Sequence, residues 1–297
     1  MKNYFKDKHA MTIPWIESPF FYELLDNSDL TDTEKEQCIF YHKNGYLVLD
    51  LGLEDSLIEE INYDVSSILE SKNFTDQKIY EYTDYSRLFE LWKKSEAVKK
   101  LATNETMMSM LKLLYDREPF PFGTINFTNP TSQPLHSDTI HFNSHPAKWM
   151  VGTWVALEDC DASNGTLRIV PGSHHWEEYD YHHMRIPHPD TRDNGEQLSY
   201  QEYDAFIENL VVAKRAKTVS LPVKKGQGII WTANLLHGGT PVSDPSVSRK
   251  AQAIHYFFKG CEKYYTPMFS NPMKNIYAEK WCSSEHNILN YCKEVEK

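Results

Sequence analysis

The sequence predicts an α+β protein with an all-β core and flanking helices, the core being a two-sheet jelly roll or double-stranded β-helix. Three observations predict it: helical signals crowd the region before Phe120, strand signals dominate from Phe120 to Phe258, and those strands are short, with Gly, Pro, Asn and Asp turns between them. No Pro-, Gly- or Ser-rich linker divides the 297 residues. A single domain over 1–297 is therefore expected: a helical part to about residue 119, the core over about 120–258, and a covering segment from about 259.

The segment TDTEKEQCIFYHKNG opens with Thr31 or Thr33 as N-cap, places acidic residues early and closes at Gly45, the marks of a helix. YLVLDL then reads as a strand. In EDSLIEEINYDVSSILES, Leu57, Ile58, Ile61, Val65, Ile68 and Leu69 recur at helical spacing. Two more helices are expected within 87–101 and 105–115. Beyond Phe120 the strands are GTINF, the segment around His136, KWMVGTWVAL, TLRIV, KTVSLPV, GIIWTA and KAQAIHYFF. The stretch from about 262 is expected to end in a helix covering the barrel, and no internal repeat or low-complexity tract is present.

Composition excludes several classes. With 42 Asp and Glu against 31 Lys and Arg, the formal charge of -11 argues against binding a phosphate backbone, so nucleic acid is not an expected partner. No apolar run is long enough for a signal peptide or a membrane span, so a soluble cytoplasmic protein acting on a small molecule is expected. Cys38, Cys160, Cys261, Cys282 and Cys292 are odd in number and lack CxxC spacing, which points to reduced thiols. Nothing in the sequence sets an oligomeric state.

His136, Ser137 and Asp138, with His237 farther on, carry the chemistry. Residues two apart on an extended strand share a face, so His136 and Asp138 can meet one metal while Ser137 points away. His237, in the Gly-rich LLHGGTPVS, is displayed after an apolar segment and can supply the third ligand. Two imidazoles and one carboxylate leave open coordination positions, which suits Fe(II) and oxygen activation better than a closed structural site. His174, His175, His182, His183 and His188 have no carboxylate or thiolate at a ligand spacing and read as a polar loop. His141 and His145 stand near the HxD segment and read as hydrogen-bonded structural residues. Asn164 to Thr166 reads as a turn.

From HSDTIHF through WMVGTWVALEDCDASNGTLRIVPGSHHW to HGGTPVSDPSVSRKAQAIHYFF, the chain resembles the phytanoyl-CoA dioxygenase family of Fe(II)- and 2-oxoglutarate-dependent oxygenases, whose core is a cupin-like jelly roll. The resemblance covers about residues 120–258. It implies Fe(II) on His136, Asp138 and His237, which are then also the catalytic residues, with 2-oxoglutarate and O2 as cosubstrates. It further implies that Arg249 binds the distal carboxylate of 2-oxoglutarate and that Trp154 lies near it. A doubly charged 2-oxoglutarate and one aspartate outweigh a divalent iron by one unit, so one buried Arg restores neutrality, and its planar fork suits a carboxylate. Strand alternation places Arg249, Ala251, Ala253 and His255 on one face, with Lys250 on the other.

Two departures from the family pattern stand out. A hydroxyl residue commonly lies two positions after the late His, where this chain has Gly239; Thr240, Ser248 or Thr153 can substitute. Ahead of HxD, Asn126, Asn129 and Gln133 are available to bond the cosubstrate's carboxylate near the metal, and Asn126 is chosen.

The implied activity is hydroxylation of an unactivated C–H bond of a small, polar metabolite, with release of succinate and CO2. A jelly-roll protein that binds a metal or metabolite without oxidising anything is the alternative. Asp138 argues against a halogenase, which vacates the carboxylate position for chloride. The segment from His174 to Tyr203, poor in aliphatic residues and too long for a turn, is expected to form a lid over the metal site.

Overall fold

The computed structural model describes residues 3–70, 87–191, 193–242, 244, 246–271, 274–279 and 288. The helices are α1 (Phe21–Asp26), α2 (Asp32–Asn44), α3 (Asp55–Glu70), α4 (Glu96–Ala102), α5 (Glu105–Tyr115) and α6 (Gly195–Ala213). The strands are β1 (Tyr46–Asp50), β2 (Arg87–Phe89), β3 (Pro119–Phe127), β4 (Asn143–His145), β5 (Met150–Ala156), β6 (Leu167–Ile169), β7 (Val219–Leu221), β8 (Gln227–Thr232), β9 (His237–Gly239), β10 (Ala251–Phe258) and β11 (Lys263–Tyr265).

A six-stranded antiparallel sheet runs β1-β8-β5-β10-β3-β2, and a three-stranded sheet runs β7-β6-β9. Trp154, Ile229, Trp231, Ala251 and Ala253 of the larger sheet meet Leu167, Ile169 and Leu221 of the smaller one in a shared apolar layer. This is the jelly-roll core. The other face of the large sheet, through Val151, Val155, Ile230, Ile254 and Tyr256, packs on the helices. Along α3, Ile58, Ile61 and Val65 form the buried stripe, each contributing about 1.5 to 3 kcal/mol by leaving water.

Local signals fix the ends of α2. Thr31 is the N-cap: it accepts from the Glu34 N–H at 3.3 Å while its own N–H donates to Glu34 Oε2 at 2.8 Å, a reciprocal capping box. Gly45 closes the helix with φ of 78°. A side chain there would also strike the His174 ring, so both the turn and the packing require glycine.

Three expectations need revision. HxD does not lie within a strand: His136 makes an isolated bridge with His237, and Asp138 starts a 3-10 turn, Asp138–Ile140. Ser137 is nevertheless extended (φ -107°, ψ 138°), so the two-residue alternation survives over this tripeptide, although Ser137 is buried. Next, 174–203 is not simply a loop. It contains short 3-10 turns at Ser173–His175 and Pro189–Thr191 and runs into α6, whose Tyr200, Tyr203 and Ile207 are buried. Finally, the short antiparallel β4–β11 pair, whose strands are far apart in the chain, and α1 had no clear sequence signal. The expected C-terminal covering helix falls outside the described residues apart from Ile288, which is buried on the helix side of the large sheet. Cys282 and Cys292 are also outside them; Cys38, Cys160 and Cys261 are free thiols. No helix among the described residues is long and apolar enough to cross a membrane.

Candidate active site

His136, Asp138 and His237 are all buried, and one ligand atom from each lies within 4.8 Å of the others. The bridge that brings them together is backbone-made: the His136 N–H donates to the His237 carbonyl at 2.9 Å, and the His237 N–H returns the bond at 3.0 Å. Each imidazole is then set by its own chain. Nδ1 of His136 lies 3.0 Å from the Pro134 carbonyl, and Nδ1 of His237 lies 2.9 Å from that of Leu235. A carbonyl only accepts, so both Nδ1 atoms carry the proton and the lone pairs lie on Nε2, where a cation can take them, that of His136 in place of the Gln133 amide. Those Nε2 atoms stand 3.8 and 3.6 Å from Asp138 Oδ1.

The other carboxylate oxygen is held from outside the triad. The Trp231 indole N–H donates to Asp138 Oδ2 at 2.7 Å. Trp231 reaches it because its partner across the β5–β8 ladder is Gly152, where a Cβ would overlap the indole. Burial alone would favour the acid form of Asp138, but the surrounding imidazoles and the indole N–H reverse this and hold the carboxyl below its ordinary value. Burial, reinforced by His237, pushes His136 well below the usual imidazole value. An ionised carboxylate beside a neutral imidazole is the protonation state that a divalent cation needs.

Arg249 is 1% exposed. Its Nη2 lies 3.4 Å from Thr131 Oγ1, while its Nε and Nη1 have no protein acceptor among the described residues. Burial lowers its pKa to about 10, which still leaves it charged at neutral pH. A buried cation with orphaned donors is costly unless an anion completes it. Trp154 lies on the same inter-sheet face, its ring centroid 5.7 Å from the guanidinium carbon. This arrangement fits the distal carboxylate of a dicarboxylate, and the triad fits Fe(II).

The remaining sequence candidates divide clearly. Asn126 is turned away: its amide donates to Gln252 Oε1 at 3.1 Å, and Gln252 in turn donates to the Val98 carbonyl of α4. Its neighbours Ile125 and Phe127 take the inter-sheet face, so alternation sends Asn126 to the helix side. Asn129 donates to the Val247 carbonyl. Gln133 is the one at the metal ligands, with its amide nitrogen 3.2 Å from His136 Nε2 and its oxygen accepting from Arg87 at 3.1 Å. The hydroxyls of Thr240, Ser248 and Thr153 bond Thr166, Glu158 and the Ile254 carbonyl respectively, so none of them serves Arg249. Thr131 does. The reason is visible at Gly239, where a Cβ would stand 3.0 Å from the Gln133 nitrogen: the 131–134 loop fills the space a side chain would need and brings its own hydroxyl.

Beside the triad, His255 Nε2 lies 4.0 Å from Asp138 Oδ2, and His141 Nε2 lies 3.2 Å from the Tyr200 hydroxyl. Burial lowers both imidazoles, His141 to about 4. The alternation on β10 pointed to the face His255 occupies, whereas no sequence signal marked Trp231, Thr131 or Gly152. His145, His183 and His188 pair with Glu262, Asp180 and Asp190 away from the triad.

A further group, Glu17, His174 and His175, also brings ligand atoms within 4.8 Å of one another. Its Nε2 protons and its carboxylate are already engaged. Both Nε2 atoms face the His42 carbonyl, at 3.0 and 2.9 Å, and the carboxylate takes Lys148 at 3.1 Å and the Thr232 hydroxyl at 3.0 Å. It ties the end of α2 to the 3-10 turn Ser173–His175 and to Trp15–Glu17.

The model of the family described as phytanoyl-CoA dioxygenase (PhyH) matches residues 41–251, well over half of the chain. The chain belongs to the phytanoyl-CoA dioxygenase family. As a PhyH-family member it is an Fe(II)- and 2-oxoglutarate-dependent dioxygenase that uses O2. It is similar to the peroxisomal phytanoyl-CoA dioxygenase of Bos taurus, 24% identical over 271 residues that cover 82% of this chain and 74% of that protein. A probable phytanoyl-CoA dioxygenase of Caenorhabditis elegans is 25% identical over 253 residues, 74% of each chain. Two solved structures share the fold of this PhyH chain. The carbocyclase SnoK from nogalamycin biosynthesis superposes with a TM-score of 0.61 at 15% identity, covering 87% of this chain and 95% of SnoK. EctD from S. alaskensis, with 2-oxoglutarate and 5-hydroxyectoine, gives 0.58 at 18% identity, covering 78% of each chain.

Proposed function

We propose that this dioxygenase hydroxylates an unactivated C–H bond of a small, polar metabolite, releasing succinate and CO2, and that His136, Asp138 and His237 hold the iron. The observation that carries the site assignment is the pair of Nδ1–carbonyl bonds, which leave both Nε2 lone pairs facing Asp138 Oδ1. Arg249 takes the distal carboxylate of 2-oxoglutarate, with Trp154 beside it and Thr131 orienting the guanidinium. Gln133 replaces Asn126 as the anchor near the metal, because Arg87 donates to its oxygen and so turns its N–H groups toward His136. The bound iron and 2-oxoglutarate supply the oxidising chemistry; the chain's own residues bind, orient and exclude water.

The polar character of the substrate is supported by His141, His255 and Tyr200, which bring imidazole and phenol groups close to Asp138. EctD with 5-hydroxyectoine supports the same reading, while the carbocyclase SnoK marks the fold as able to host other outcomes. A cytoplasmic location belongs to this reading and is supported by the free thiols. Incubating the iron-loaded protein with 2-oxoglutarate and a metabolite extract, and following succinate and product masses together, tests the proposal. A product heavier by one oxygen, formed in step with succinate, is expected. Substrate-dependent succinate with a product that has lost hydrogen or closed a ring would overturn hydroxylation.

A further inference from the structure

Ser137, the residue between two ligands, is held by a side chain that lies far along the sequence. The Ser137 N–H donates to the Tyr203 hydroxyl at 2.9 Å, and that hydroxyl reaches the Ser137 carbonyl at 3.4 Å. Tyr203 is fully buried on α6. One phenol thus meets both polar groups of the backbone that spaces His136 from Asp138. The Ser137 side chain completes the grip by donating to the Ala233 carbonyl at 3.0 Å and lying 3.2 Å from Asn234 Oδ1, just ahead of His237.

Packing points the same way. Tyr200, Tyr203 and Ile207 of α6 share an apolar cluster with Leu135, Ile140 and Leu236. Leu135 and Leu236 immediately precede the two histidine ligands, and Ile140 closes the 3-10 turn that begins at Asp138. This cluster is separate from the inter-sheet core and from the helix-side core, so residues flanking all three ligands pack with α6 in a cluster of their own.

We propose that Tyr203 is a positioning residue for the metal: its hydroxyl fixes the His136–Asp138 spacing and thereby couples the Tyr203–Ser137 hydrogen bonds to metal affinity. This rests on the assignment of His136, Asp138 and His237 as ligands. A group that orients ligands without touching the metal typically changes affinity by roughly 10- to 100-fold when lost. Coupling of this kind is reciprocal, so metal binding must in turn tighten the Tyr203–Ser137 bonds.

The test titrates Co(II) into the metal-free protein, following its visible bands, in wild type, Tyr203→Phe, Ile207→Ala and His237→Ala, with the metal-free melting temperature of each. Tyr203→Phe should weaken Co(II) binding by roughly 10-fold or more and shift the bands. Ile207→Ala, which loosens the packing but removes no hydrogen bond, should lower the melting temperature at least as much while changing affinity less than threefold, a bound set well below the roughly 10-fold expected for Tyr203→Phe. If both variants behave alike, or Tyr203→Phe binds Co(II) as wild type does, the inference is overturned, even when His237→Ala loses the metal as the ligand assignment requires. If His237→Ala binds Co(II) normally, the assignment itself falls and the inference falls with it. Should Tyr203→Phe not fold, amide exchange in the wild type decides: Co(II) should slow exchange around Ser137 and Tyr203, and unchanged exchange there would count against the coupling.

Discussion

Two groups among the described residues gather a carboxylate and two histidines within the same 4.8 Å, and we propose that only one of them holds a metal. At Glu17, His174 and His175 both Nε2 atoms face one carbonyl, and the carboxylate is engaged by Lys148 and Thr232. At His136, Asp138 and His237 the proton-bearing Nδ1 atoms are spent on carbonyls, and the Nε2 atoms face a carboxylate oxygen. Ligand-type residues in proximity do not make a site; the difference lies in the carboxylate, which at Glu17 already holds the Lys148 cation and at Asp138 faces two neutral imidazoles.

The buried charge of Arg249 offers the largest way to break this comparison. Arg249→Ala removes a buried cation that the chain leaves only partly satisfied, and the loss of such a charge-assisted pair costs about 2 to 5 kcal/mol. The 2-oxoglutarate affinity should fall accordingly, by roughly 30- to several-thousand-fold, with metal affinity unchanged. Titrating the anaerobic iron complex through its charge-transfer band measures both. Thr131→Val should cost only a few-fold, since it removes one hydrogen bond worth about 1 kcal/mol.

The hydrogen-bonded carboxylate gives a finer break. Gly152→Ala should push Trp231 off Asp138 and weaken metal binding by roughly 10- to 100-fold, whereas Gly45→Ala, which strikes His174, should lower the melting temperature and leave metal affinity alone. Equal metal affinities in wild type and Gly152→Ala would show that the indole bond is incidental.

How much of this the sequence held depends on which contacts decide each feature. Alternation on β10 correctly separates Ala251 and Ala253 from Gln252 and Ile254, because one face is lined by apolar neighbours two residues apart. The same rule, applied outward from Ile125 and Phe127, places Asn126 on the helix side; choosing it as an anchor by its polarity overrode that rule. Helix α6 escaped notice because its buried stripe is built on Tyr200 and Tyr203, while Leu198 and Val212 face solvent. Trp231 and Thr131 are legible only in three dimensions, since each acts on a residue more than 90 positions away.

In metal-free protein, acid should destabilise both groups, and His174 reports the structural one. Burial lowers His174 to about 4, against an ordinary 6.5, so between those values the unfolded chain binds the proton and the folded one does not. Its contribution is complete above pH 6.5 and is lost as pH falls toward 4, up to about 3 kcal/mol. Thermal melts of metal-free protein should therefore show stability dropping across that window, with a shallower drop in His174→Gln. His141, also lowered to about 4, and His136 and His255, lowered by burial too, add to the slope, so the variant reduces it without abolishing it. An identical slope in the variant would mean that His174 is not buried as a neutral ring.

The comparison rests finally on a count of metal ions. Equilibrium dialysis of Fe(II) against wild type, His136→Ala and His175→Ala under anaerobic conditions should give one tightly held ion per chain in wild type and His175→Ala, and none in His136→Ala. An ion retained by His136→Ala, or a further ion in wild type that disappears in His175→Ala, would contradict the assignment of the two groups.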